Sequence, residues 1–468
     1  MLNLYNTLTG RKEAVVPENG TVKIYSCGPT VYRPVHIGNL RSFLLSDIVA
    51  RAITYRDVEV YKVMNITDVG HMTDELTDDG RDKMLLAADD EGLSTEQIAA
   101  KYTNAFHEDI AAVNIKPADV YPKATEHVPQ IIELIAKLIE RGHAYEVGGT
   151  VYYDVTTFPA YGRLSHQSLD DMRAGHRIEE VDSAKRHHQD FVLWRAAGPR
   201  RELVYDSPWG PGYPGWHIEC SAMSLEYLGE RFDIHTAGID LRFPHHEDEI
   251  AQSEGAVGHE VVKLWVHGEH LLMGRAKMAK SAGNVLTIGS VADQGFDPLA
   301  FRYLCFTGRY RRQVHFTDDA LVAAATALRR LREQVSLLGG AGAVPATDTA
   351  LREAVEDDAA LAHHARFVDA VTDDLDLPSA LTVLHDALGD DAVSPAVRWT
   401  LAASWDAVLG LDLVGSGELP PELAALVRER EEARSARDFA RADEIRDRLR
   451  SAGIELLDSA AGTSWVRR

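Results

Sequence analysis

Between Thr21 and Met64 the chain runs strand, glycine-bearing turn, helix, strand, and this order constrains the fold more than any other feature. Thr21 to Ser26 carries the β-formers Val22, Ile24 and Tyr25 and ends at Cys27-Gly28-Pro29. From Asn39 to Tyr55 the apolar residues Leu40, Phe43, Leu44, Ile48 and Ile53 recur at helical spacing. Val58 to Met64 reads as a second strand. Two strands joined by a helical crossover form a βαβ unit, and such units build parallel sheets. The expected class is α/β.

The chain has 468 residues, too many for one hydrophobic core, so roughly two to four domains are expected. Pro129 to Arg141 reads as a helix stopped by Gly142. Residues 121–205 mix short strands, such as Thr150 to Val155, with Gly, Pro and charge, which has the character of an insertion. Strand and helix signals return over 206–289. Beyond about 290 the chain becomes helical and rich in Ala, Leu and Arg. Gly339-Gly340-Ala341-Gly342 with Pro345, and Gly415-Ser416-Gly417 with Pro420-Pro421, read as linkers. Leu423 to Arg468 reads as one charged amphipathic helix with a short β-like end. The expected division is 1–120, 121–205, 206–289, 290–415 and 420–468.

No run of about 18 apolar residues predicts a membrane span, and Met1-Leu2-Asn3-Leu4-Tyr5 has no basic and apolar secretory signature. Three widely spaced cysteines, Cys27, Cys220 and Cys305, imply no disulfide framework and fit a reducing cytoplasm. Cys305, in an apolar run, reads as a small buried hydrophobe. The net charge of −23 argues against nucleic-acid binding as a whole-chain property, because phosphate contacts need Lys and Arg. Local patches decide this, and Arg309, Arg311 and Arg312 make one. Asp357-Asp358 and Asp373-Asp374 read as solvated helix faces.

His36-Ile37-Gly38-Asn39 follows the first strand and opens the helix. A glycine turn there lets backbone amides and the helix N-terminus face a phosphate, at the sheet edge where α/β folds bind ligands. Lys277-Met278-Ala279-Lys280-Ser281, followed by Gly283-Asn284, sets two lysines where both can reach a triphosphate. Alone, it reads equally as an exposed basic turn. Together, in this order and about 240 residues apart, the two strings resemble the HIGH and KMSKS signatures of class I aminoacyl-tRNA synthetases. The resemblance implies formation of an aminoacyl-adenylate from amino acid and ATP, then transfer to a tRNA ribose.

A third constellation bears on the amino acid. Cys27 ends the first strand, Cys220 lies in Gly215-Trp216-His217-Ile218-Glu219-Cys220, and Phe243-Pro244-His245-His246-Glu247-Asp248-Glu249 follows. On a helix His245 and Glu249 share one face. Two thiolates, an imidazole and a carboxylate make a tetrahedral zinc set, although core cysteines and a charged helix start would leave the same trace. Across nearly its whole length the chain resembles the cysteinyl-tRNA synthetase family. The matching stretches are Ser26 to Tyr32, Asn65-Ile66-Thr67-Asp68, Ser207-Pro208-Trp209-Gly210, Pro214 to Met223, Phe232-Asp233-Ile234-His235 and Phe243 to Glu254. The resemblance implies one Zn²⁺ per chain on Cys27, Cys220, His245 and Glu249, binding the substrate cysteine through sulfur. It implies catalytic roles for His36, Asn39, Lys277 and Lys280. Gly28, Thr30, Trp216 and His235 would line the cysteine and adenylate pocket, with Gly238 and Asp240 at the ATP ribose. Mg²⁺ would accompany ATP.

The same resemblance implies a Rossmann-like catalytic domain with an insertion, a helical bundle and a small C-terminal anticodon-binding module. The implied activity is ATP-dependent activation of L-cysteine to cysteinyl-adenylate and its transfer to tRNA(Cys), by a cytoplasmic monomer with no membrane partner. A hydrophobic pocket rejects an added or exchanged hydroxyl only about a hundredfold. A zinc ion carrying thiolates prefers a further sulfur and binds it as thiolate, so no editing domain is needed. In the tail, Ala436 to Asp447 presents Arg on a recurring face. Trp465 could stack an unpaired base and Asp458 read a base edge.

Two rivals remain at this point. One is a cysteine ligase with a small amine acceptor, like the amino-sugar ligase of mycothiol synthesis, which lacks the C-terminal segment. The other is a non-catalytic paralogue that binds tRNA or cysteine. Departures from the family pattern keep the second in view: Ala279 for Ser, Arg33 for Asp, Gly70-His71 for acidic residues, and Thr236-Ala237 for Gly-Gly.

Overall fold

A computed structural model describes residues 1–17, 19–70, 72–74, 79–169, 184–198, 201, 203–274, 286–340, 342–415, 421–451, 454–459 and 462–467. The chain opens with a hairpin, β1 (Asn3–Asn6) and β2 (Arg11–Ala14), and enters a parallel sheet through β3 (Thr21–Ser26). Helix α1 (Ile37–Tyr55) crosses to β4 (Glu59–Met64). A small hairpin, β5 (Met72–Asp74) and β6 (Asp79–Asp82), precedes α2 (Lys83–Glu91) and α3 (Thr95–Ala112). Helix α4 (Val128–Glu140) leads into an antiparallel sheet of β7 (Ala144–Val147), β8 (Thr150–Tyr153), β9 (Phe191–Ala196) and β10 (Gly212–Pro214). Helix α5 (Trp216–Leu228) returns the chain to β11 (Phe232–Gly238), and α6 (His245–Val257) crosses to β12 (Val262–Gly268). The parallel sheet has the order β12-β11-β3-β4. The two halves of the chain meet where β11 pairs with β3.

Beyond the sheet, β13 (Leu271–Met273), α7 (Ile288–Asp293), α8 (Leu299–Phe306) and β14 (Val314–Phe316) lead into a bundle. The bundle holds α9 (Asp318–Leu337), α10 (Asp348–Ala354), α11 (Asp358–Thr372), α12 (Leu377–Gly389) and α13 (Pro395–Leu409). Last come α14 (Pro421–Ser435), α15 (Phe439–Ser451) and the hairpin of β15 (Ile454–Ser459) and β16 (Gly462–Arg467). No helix among the described residues is long and apolar enough to cross a membrane.

The expected strand at Thr21–Ser26 is found with those bounds, since its β-branched and aromatic side chains suit a sheet buried on both faces. Helix α1 begins two residues before the expected Asn39 because His36 caps it: Nδ1 accepts the Asn39 N–H at 3.1 Å. Leu40, Leu44 and Ile48 are buried, and so are Phe43, Val49 and Ala52 on other faces of α1. One apolar cluster therefore runs unbroken from Leu2 through α1 to Leu413 in the bundle.

At the centre of that cluster a charged knot replaces apolar contact. Asp47 accepts from Arg51 Nε (2.8 Å), Arg302 Nη2 (2.7 Å) and the Lys116 amide (2.9 Å). Arg302 also donates to the carbonyls of Leu409 (2.6 Å), Val113 (3.0 Å) and Asn114 (2.9 Å). Burial opposes charge on Asp47, but Arg302 and Arg51 outweigh it and hold the carboxyl below its ordinary 3.8.

Three sequence expectations are corrected here. Asp374 is buried, not solvated: its carboxylate accepts from the Tyr5 amide, Tyr310 and Arg311, while Asp373 stays exposed beside Lys12. The Arg309-Arg311-Arg312 patch is largely neutralised, because Arg309 pairs with Asp376 and Arg311 with Asp374. The C-terminal helix is two helices. Arg437 takes a left-handed φ of 60°, and Asp438 then caps α15 through the Arg441 amide at 3.1 Å. Cys305 is buried as expected, its thiol pushed up to about 12 by that burial.

Asp47→Asn should lower stability by about 3–5 kcal/mol, the usual cost of leaving buried charge uncompensated, measured by urea denaturation near neutral pH. Because the folded pKa is depressed, this contribution is present above pH 3.8 and is lost as pH falls through the folded value. The gap between variant and wild type should therefore narrow in acid.

Candidate metal and adenylate site

The sheet's carboxyl edge assembles the cysteine, imidazole and carboxylate groups. β3 ends at Ser26, so Cys27 is the first residue beyond the strand. The chain must turn at once, and a Cβ at Gly28 would lie 1.7 Å from the Asn65 carbonyl oxygen. Only glycine fits, and its N–H donates to Asn65 Oδ1 at 2.9 Å. Helix α5 turns Cys220 inward. Helix α6 places His245 and Glu249 one turn apart. One donor atom from each of Cys27, Cys220, His245 and Glu249 lies within 4.8 Å of all the others, and all four residues are buried. A second quartet, Cys27, His235, His246 and Glu249, meets the same test.

The chemistry of the first quartet fits a metal. His245 Nε2 lies 2.9 Å from Glu249 Oε1, yet the pair is out of line for a hydrogen bond. An imidazole nitrogen and a carboxylate oxygen turned toward a common point are placed as two ligands of one ion. Burial, then the neighbouring Cys220, pushes the Cys27 thiol well up, while the hydrogen bond from Cys27 brings Cys220 down to about 7. The two sulfurs cannot both be thiolates unless a cation joins them. Burial disfavours charge on Glu249, but His235 and His245 hold it down to about 2. Burial likewise opposes charge on His245, but Glu249 and Cys220 push it up to about 10.

The second quartet is otherwise engaged. His246 Nε2 lies 3.3 Å from Cys27 Sγ, and its Nδ1 lies 2.8 Å from His267 Nε2. His267 Nδ1 lies 2.8 Å from the Thr7 hydroxyl. Burial pushes His246 well down and His267 to about 3, so both rings are neutral. With Cys27 as a metal-bound thiolate, donation runs from Thr7 to His267 to His246, and His246 offers the Cys27 sulfur an N–H, not a lone pair. His235 Nε2 donates to Glu249 Oε2 at 3.0 Å, and its ring stacks on Trp265. Both are outer partners that orient a ligand.

The remaining expected residues fall around this centre. The half-buried Trp216 ring lies 4.6 Å from that of His245. Thr30 bridges Thr67 beside the Cys27 turn. Gly238 ends β11 and the exposed Asp240 follows in a short 3₁₀ turn. Asn39 is exposed at the start of α1, next to His36, whose pKa is lowered by burial and by Arg33. Two open amides of that helix are already used: Ile37 donates to the Leu286 carbonyl (3.0 Å) and Asn39 to His36. Lys277, Lys280 and Ala279 lie outside the described residues, as does His71.

Two departures from the family pattern have local reasons. At Gly70 a Cβ would lie 2.1 Å from Asp82 Oδ1, and the Gly70 carbonyl accepts from Arg201, which also pairs with Asp82. An acidic residue there would meet Asp82 head-on. Thr236 donates to or accepts from Ser26 at 2.7 Å, and Ser26 reaches Ser46 at 2.5 Å, so its hydroxyl is absorbed in a buried chain.

Sequence reasoning did not single out Asn65, Tyr161, His217, His246, Asp248 or His267 as site residues. His217, His246 and Asp248 stood inside quoted motifs, and only their number of titratable groups hinted at a role. Nothing near Tyr161 or His267 signals the site, because both arrive from distant strands and loops.

Residues 13–326 match the family of class I (C) tRNA synthetase catalytic domains, and 416–465 match the cysteinyl-tRNA ligase anticodon binding domain. The architecture is shared with Mycobacterium tuberculosis methionyl-tRNA synthetase in complex with methionyl-adenylate. That match has a TM-score of 0.54 at 16% identity and covers 86% of this chain and 92% of that one. The parallel sheet and the appended helices are those of a class I aminoacyl-tRNA synthetase. The cysteine–tRNA ligase of Treponema denticola is 41% identical over 491 residues, covering 100% of this chain and 99% of its own. That of Methylococcus capsulatus is 42% identical over 488 residues, covering 100% of both. This chain belongs to the cysteine–tRNA ligase family.

His245→Ala should empty the site of metal, a larger loss than the ~10–100-fold in affinity typical of an outer partner. His246→Gln, which keeps an N–H for Cys27, should retain most of it. Elemental analysis of the purified proteins reads both, and the reverse pattern would select the second quartet.

Proposed function

We propose that the chain activates L-cysteine with ATP to cysteinyl-adenylate and transfers the cysteinyl group to tRNA(Cys). The convergence of Cys27, Cys220, His245 and Glu249 at the sheet's carboxyl edge, beside the start of α1, is the observation that carries this reading. These four residues would hold Zn²⁺, a soft Lewis acid that selects a thiolate over a hydroxyl. Trp216 and His235 flank the same point and close the amino-acid pocket. Gly28 and Thr30 form the turn over which adenylate lies, with Gly238 and Asp240 at the ribose.

The cysteine carboxylate attacks the α-phosphorus of ATP, which enters with Mg²⁺. His36 and Asn39 at the helix start, with Lys277 and Lys280, stabilise the charge that builds as pyrophosphate leaves. This is positioning and electrostatics, with no covalent enzyme intermediate. A 3′-terminal ribose hydroxyl of tRNA then attacks the cysteinyl carbonyl, the acyl–phosphate bond breaks and AMP leaves. The segment 420–468 would hold the anticodon, and 290–415 would span the distance to it. The compartment is the cytoplasm and the working form a monomer in this reading.

The family match over 416–465 favours a tRNA acceptor over a small amine. Cysteine-dependent ATP–pyrophosphate exchange, followed by charging of total tRNA, separates the possibilities. Exchange with charging is expected; exchange without charging would mean a small acceptor, and no exchange a non-catalytic protein. Lys280→Ala should slow exchange by roughly 10²–10³-fold, the scale of one donor to developing negative charge.

A further inference from the structure

Helix α6 carries more buried acid than its two candidate ligands explain. Glu247 and Asp248 are as buried as Glu249, and Glu254 is only partly exposed. All three are met by residues 161–165, which follow β8. The amides of Leu164 (3.3 Å) and Ser165 (2.7 Å) donate to Glu247. Arg163 donates to Glu254 at 2.5 Å, and Tyr161 donates to Asp248 Oδ1 at 2.5 Å. The other Asp248 oxygen lies 3.4 Å from His217 Nε2, and His217 Nδ1 lies 2.7 Å from His245 Nδ1.

Two imidazole nitrogens 2.7 Å apart share one hydrogen. If His245 gives its Nε2 lone pair to a metal, its Nδ1 holds that hydrogen and donates to His217 Nδ1. His217 then carries its own hydrogen on Nε2, aimed at Asp248. The remaining oxygen of Asp248 is held by the Tyr161 hydroxyl. Each polar atom along this line has one role, and the line ends on a residue far from the sheet edge in sequence.

We propose that Tyr161, acting through Asp248 and His217, fixes the orientation of the His245 imidazole. Tyr161 is thus a positioning residue for metal capture. The inference rests on the metal reading above.

Full-length wild type, Tyr161→Phe, Asp248→Asn, Arg163→Met and Cys220→Ser would be compared for Zn²⁺ affinity by competition with a chromophoric chelator. Absorption spectra of the Co²⁺-substituted proteins and thermal melting would accompany this. Tyr161→Phe should weaken Zn²⁺ binding by about 10–100-fold and shift the Co²⁺ d–d bands. Asp248→Asn should do the same, and stands in if Tyr161→Phe does not fold. Arg163→Met frees Glu254 but leaves the line to His245 intact. It should alter neither affinity nor spectrum, whatever its melting temperature. Wild-type affinity and spectrum in Tyr161→Phe, or an equal loss in Arg163→Met, would overturn the inference while Cys220→Ser still loses metal. Retention of metal by Cys220→Ser would instead sink the metal assignment itself, and this inference with it.

Discussion

Five consecutive residues, His245 to Glu249, are each 2% exposed or less, and all five are polar and titratable. Burying such a run is costly unless every group finds a partner. The surrounding structure can be read as the set of those partners. β3 and β11 bring Cys27 and His235 to one side of α6, α5 brings Cys220 and His217 to another, and residues 161–165 close the third. A helix of this composition would not fold into an apolar interior alone. Its position is explained by the partners it holds.

The fold was legible wherever one periodicity ruled a segment. Thr21–Ser26 and Ile37–Tyr55 follow from β-branched content and from apolar spacing, and the capping side chain of His36 accounts for the earlier start of the helix. The tail was misread because Arg437 adopts a left-handed backbone, which a non-glycine residue rarely does and which composition does not signal. Asp374 was misread for a related reason. Both Asp374 and Leu375 have positive φ (59° and 53°), so the chain bends away from the helical register and tucks the carboxylate inward. The site was legible in part. Cys27, Cys220, His245 and Glu249 stand in recognisable strings, but Tyr161 and His267 enter only through tertiary contact.

The departures from the family pattern share one character. Gly70 makes room for the Asp82–Arg201 pair, and the Arg201 guanidinium lies 3.8 Å over the Tyr213 ring. Thr236 enters a chain of hydroxyls with Ser26 and Ser46. In each case a change near the site is matched by neighbours that complete its hydrogen bonds. Thr236 sits directly beside a candidate ligand, since its carbonyl accepts from the Cys27 amide at 3.3 Å.

The distribution of apolar clusters has a consequence for how such chains can change over time. Sheet and bundle are welded through α1 by one continuous apolar interior from Leu2 to Leu413. The last segment has a separate small interior around Ile445, Leu449 and Ile454. The β15–β16 hairpin nevertheless packs against α9, so a cut near Gly415 would uncover that face of the bundle. A cut between sheet and bundle would strip α1 of its cover. The tail, with an interior of its own, is therefore the piece that descent can exchange at the price of one face of α9, while the bundle travels with the sheet as inseparable cargo.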